Sequence, residues 1–85
     1  MSLIIVGVDG SQQSRRALEW ALPYAAAKSA VVHAVMAVDT RDTAESDRAA
    51  RLAQAERTVA RLVAQVVAIH PAPPTVTYEV VEGDP

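Results

Sequence analysis

The residues best suited to hold a ligand are Gly7-Val8-Asp9-Gly10-Ser11, a carboxylate in a turn between an apolar run and a helical pattern. In open α/β sheets ligands bind outside the carboxyl ends of the strands, where the next helix begins with unpaired N–H groups. Asp9 is placed there to accept a hydrogen bond from a ribose hydroxyl or a base amine. The same residues also fit plain turn chemistry, with Asp9 shaping the turn and Ser11 capping the helix.

Other reactive types offer less. His33 lies in an apolar run with no second His, Cys or paired carboxylate near it, and reads as core. His70 falls at a helix C-terminus, where positive charge is favoured. Asp39 and Asp42 fit loop and cap roles. Ser11, Ser14 and Thr40 have no base at a recognisable spacing, so nucleophilic hydrolysis has no support. No catalytic residue and no metal ligand is assigned, and the chain is not expected to be an enzyme.

The elements that position the turn follow from periodicity. Residues 3–8, Leu-Ile-Ile-Val-Gly-Val, read as a strand buried on both faces. Ser11 caps a helix from about Gln12 to Lys28, with Ala17, Leu18, Ala21, Leu22 and Ala25 on one side and Pro23 expected to bend it. Residues 30–38 read as a second strand of the same kind. Asp42, with Glu45 as capping-box partner, is expected to open a long helix to about Ile69. Its apolar seam is Leu52, Ala55, Val59, Leu62, Val66 and Ile69, and Pro71, Pro73 and Pro74 end it. Residues 75–81 alternate Val76, Tyr78 and Val80 with Thr75, Thr77 and Glu79, as an edge strand does.

This order, β-α-β-α-β, calls for an α/β fold with a parallel sheet built by right-handed crossovers. Two crossovers in one direction put both helices on one face and leave the other face of the strands bare. Asp84-Pro85 after Gly83 reads as a helix start. Both signs suggest one domain over 1–85 that stops after its third strand.

Composition bounds the partners. Eighty-five residues make one domain, and 17 Ala and 13 Val without Phe call for a closely packed core of small side chains. A net charge of −2 gives no footprint for nucleic acid or an anionic membrane. The absence of Cys excludes disulfides and thiol chemistry, and no leader or membrane-spanning run is seen. A cytoplasmic protein is expected.

Taken together, the opening Ile-Ile-Val-Gly-Val-Asp-Gly-Ser, Ala17-Leu18-Glu19-Trp20-Ala21, Val32-His33-Ala34-Val35, the long second helix and the closing Val80-Val81-Glu82-Gly83-Asp84-Pro85 resemble the N-terminal part of the universal stress protein (UspA) family. The resemblance runs along the whole chain in order. It implies a partial doubly wound parallel sheet, part of a three-layer fold of the adenine nucleotide α-hydrolase or Rossmann-like kind without its C-terminal half. It implies a stress-response module whose complete domain binds ATP or AMP, with the adenosine held at Gly7, Asp9, Gly10, Ser11, Ala34 and Val35. The family's Gly-x-x-Gly phosphate segment has no counterpart, since the only glycines are Gly7, Gly10 and Gly83. The alternative is an assembly or interaction fragment that binds no nucleotide, the preferred reading for the isolated chain's own activity. The adenylating enzymes related to the family want a Ser-Gly-Gly-type loop that the strand-one turn does not provide. Bare apolar surface beside an open strand predicts a homo-oligomer.

Overall fold

Leu3–Gly7 forms β1, Gln12–Ala27 α1, Val31–Val38 β2, Glu45–Ala68 α2 and Val76–Glu82 β3. These are drawn from a computed structural model that describes residues 2–83, so the helix start read at Asp84-Pro85 lies outside the described residues. The sheet is parallel throughout, in the order β1-β2-β3, with Ile4 beside Val32, and Ala34 between Val6 and Tyr78.

One core joins the sheet to both helices. Leu18, Leu22 and Ala25 of α1 and Val59, Leu62 and Val66 of α2 bury against Val32 and Ala34 of β2. Ala21, Ala25, Ala30 and Ala34 are all buried, and these short side chains let the helices approach closely in a chain without Phe. Both helices thus lie on one face, as consecutive right-handed crossovers in one direction require.

The opposite face is uncovered, as the two crossovers in one direction imply, so β1 and β2, whose apolar runs read as buried on both sides, are covered on one. Leu3 and Ile5 are 60% and 64% exposed, whereas Val32 and Ala34 are completely buried. A continuous apolar run reports that both faces can be buried, and the crossovers decide which face is. His33, read as core, is corrected. It stands on the open face, where the Thr77 hydroxyl lies 2.6 Å from its Nδ1 and Glu79 Oε1 lies 2.9 Å from its Nε2.

The first helix starts as the sequence indicates. Ser11 Oγ accepts from the Ser14 N–H at 3.1 Å, and Ser14 Oγ donates back to the Ser11 carbonyl at 2.9 Å. The helix continues through the exposed Pro23. It ends at Lys28 and turns through Ser29 at φ 53°, with the Ala30 and Ser29 N–H groups donating to the Ala25 and Ala26 carbonyls. This is the Schellman arrangement, with serine where glycine is usual.

The start of α2 is a second correction. Its N-cap is Ala44, which makes no side-chain capping bond, and Asp42 lies in a turn closed by the Thr43 N–H on the Thr40 carbonyl. The turn takes up Asp42 before helical geometry begins, leaving Glu45 and Asp47 in the first turn, where the dipole favours them. The seam holds from half-buried Leu52 to Val66 and gains Val63, but Ile69 is 62% exposed because the helix ends at Ala68.

Candidate functional site

Where β1 ends, four consecutive residues each fix part of a turn. The buried Val8 donates its N–H to the Val35 carbonyl at 2.9 Å, tying the turn to β2. Asp9 Oδ1 accepts the Ser11 N–H at 2.9 Å. Gly10 has φ 83°, and a Cβ there would stand 3.2 Å from Thr58 Cγ2, so the turn rests directly on α2. Only glycine suits both the left-handed backbone and that approach. Ser11 then caps α1.

A cavity of about 590 Å³ opens at this end of the sheet. Ile5, Val35 and Ala37 of the open face give it an apolar wall, Ala17 of α1 adds to it, and Asp9, Ser11 and Gln13 supply polar groups. Gly7 lies on its lining with nothing within 4 Å of where a side chain would begin, so a ligand can approach the backbone there. Large apolar walls with a few converging polar groups are the usual make-up of a small-molecule site.

Asp9 is the charged group of the cavity. Hydrogen bonding from Ser11, through its hydroxyl and then its backbone N–H, with a further contribution from the Ser14 hydroxyl, holds its carboxyl below the usual carboxylate range. It is therefore anionic at neutral pH, with acceptor capacity beyond the bond to Ser11.

Of the residues read from sequence, Gly7, Asp9, Ser11 and Val35 line this cavity together. Gly10 faces a separate, smaller depression between the helices. Ala34 is completely buried in the core, and its side chain does not line the cavity. The structure adds Ile5, Ala37, Gln13 and Ala17. Two of these were within reach of the sequence, because Ile5 alternates with Gly7, and Ala37 with Val35, on the same face of adjoining strands.

The other singled-out residues are structural. Asp39 pairs with Arg41 at 2.7 Å, and Arg51 donates to Thr43 Oγ1 and to the Asp39 carbonyl. Arg48 pairs with Glu82, which also accepts from the Thr40 hydroxyl at 2.9 Å. These bonds tie the loop after β2 and the end of β3 to the start of α2. His70 Nδ1 accepts the Ala72 N–H at 3.2 Å, a turn bond just after α2.

The carboxylates predict acid sensitivity with a definite sign. Arg48 and then Thr40 lower the folded pKa of Glu82, Arg41 lowers that of Asp39, and Ser11 that of Asp9. Their contribution is present above the unfolded values, 4.5 for Glu and 3.8 for Asp, and is lost as pH falls through the folded ones. The urea midpoint should fall as the pH drops below about 5. Glu82→Gln should lower the midpoint at neutrality and make the acid decline shallower. An acid decline equally steep in the variant would remove Glu82 from the effect.

A model of the universal stress protein family matches residues 1–85. The chain belongs to the universal stress protein family. Comparison with curated proteins and with solved structures gives no match. For a universal stress protein, the three parallel strands in β-α-β-α-β order are part of an α/β, Rossmann-like fold, as the sequence implied. No helix among the described residues is long and apolar enough to cross a membrane.

Proposed function

We propose that this universal stress protein is a stress-response regulatory module that binds the adenosine part of ATP or AMP in the cavity at the end of β1 and β2. It acts in the cytoplasm through ligand-controlled self-association and not through turnover. The observation that carries the reading is the cavity itself, at the carboxyl ends of the strands, with an apolar wall broad enough for a purine and the Asp9 carboxylate at its polar side. Gly7 leaves room for close approach, and Val35 and Ala37 offer the base a flat strand surface.

Association is supported by the same face of the sheet. Leu3, Ile5 and Val81 are exposed there beside half-buried Val31 and Val35, and the outer edge of β1 has no strand beside it among the described residues. Because Ile5 and Val35 also line the cavity, a ligand seated there alters the surface that a second copy would meet.

Isothermal titration of the chain with AMP, on material of known solution mass, tests the reading. Micromolar to sub-millimolar binding is expected, and Asp9→Ala should weaken it about tenfold or more, the usual worth of a hydrogen bond to a charged group. AMP affinity unchanged in Asp9→Ala would take the ligand out of this cavity.

A further inference from the structure

A second depression, about 240 Å³, lies on the other side of the same turn, between the start of α1 and the middle of α2. Thr58, Arg61, Leu62 and Gln65 recur along one face of α2 at helical spacing and meet Arg15 across the gap. Arg15 is half-buried and reaches Gln65 Oε1 at 3.4 Å, while its ion pair with Glu19 is long, at 3.9 Å. The Arg61 guanidinium has no hydrogen bond or ion pair among the described residues. Arg41, Arg48, Arg51 and Arg57 all have acceptors. No carboxylate lines the depression, and Ser11, Gln12, Thr58 and Gln65 add hydroxyl and amide groups around it.

We propose that this cleft is a phosphate-binding site in which Arg15 and Arg61, brought together from α1 and α2, hold the anion. Two arginines lining a hollow edged by hydroxyl and amide groups, with Glu19 reaching Arg15 only at 3.9 Å, match the charge of a phosphate group. The site is distinct from the adenosine cavity and does not depend on it. Ser11 lines both, however, so the phosphate is supplied either by the tail of a nucleotide seated next door or by a free phosphate ester.

The test is titration with pyrophosphate, adenosine and ATP of the wild-type chain and of Arg61→Gln, Arg15→Gln and Asp9→Ala, each checked for native melting. Pyrophosphate should bind the wild type and lose about tenfold in affinity in either arginine variant. Its affinity should also fall as salt is raised. If ATP's advantage over adenosine disappears in Arg61→Gln, the nucleotide tail occupies the cleft. If that advantage is absent or unchanged while pyrophosphate binding is lost, a free phosphate ester does. Either result supports the site. No pyrophosphate binding at millimolar concentration, or equal binding in the wild type and both arginine variants, overturns it. The adenosine titration reads the Proposed function separately, so the two fail independently.

Discussion

Leu22→Ala should unfold a large part of the protein at room temperature. Leu22 is 1% exposed and is among the largest fully buried side chains, with Leu18, Val32, Val59 and Val66. Emptying such a position costs about 2–5 kcal/mol, through lost transfer energy and the cavity left behind. The residues around it give little scope for repair. Ala21, Ala25, Ala30 and Ala34 carry only methyl groups, too short to reach into a hole, and the core has no Phe to shift into it. A chain of this length stands near the low end of the roughly 5–15 kcal/mol typical of folded domains, so the loss consumes much of the total. Urea unfolding followed by circular dichroism reads the effect. Ile69→Ala, at a site 62% exposed just past the end of α2 and away from the open sheet face, is the control and should change stability by about 0.5 kcal/mol or less. Equal losses in the two variants would mean that the core is not where the structure puts it.

Leu3→Glu should instead change the assembly. If the open face is covered by a second copy, Leu3 is buried there, and burying a leucine contributes about 1.5–3 kcal/mol. In a two-fold dimer the same patch counts on both sides, so the dissociation constant should rise by about tenfold or more. Leu3 is not part of the adenosine cavity, which keeps this effect apart from ligand binding. Sedimentation velocity across a concentration series measures it. Identical association in the wild type and Leu3→Glu would exclude this face as the contact.

How far the sequence could be read depended on whether the signal was local. The three strands and two helices were legible because apolar runs and helical spacing are properties of adjoining residues. So was the Ser11 cap, whose bonding partner is Ser14. Asp42 misled because an acid three residues before Glu45 fits a cap, whereas the chain spends it on the Thr40–Thr43 turn. His33 misled for another reason. Its polar partners, Thr77 and Glu79, are supplied by a strand more than forty residues away, and only the parallel register shows that they are neighbours.

The site divides along the same line. Gly7, Asp9 and Ser11 were visible as turn chemistry, and Val35 through the family resemblance. Ala34 came with Val35 as backbone at the end of β2, and its side chain faces the core because successive strand residues face opposite sides. The cleft at Arg15 and Arg61 left no trace in the sequence. Arg15 and Gln65 are 50 positions apart, and nothing in either helix marks them as facing residues.

Amide chemical-shift mapping with AMP on the ¹⁵N-labelled chain tests the place of the adenosine site most directly. Shifts concentrated at Gly7, Val8, Asp9, Ser11, Val35 and Ala37, and displaced to about tenfold higher AMP in Asp9→Ala, are the predicted result. Shifts centred elsewhere, or none as AMP is raised to millimolar concentration, would contradict it.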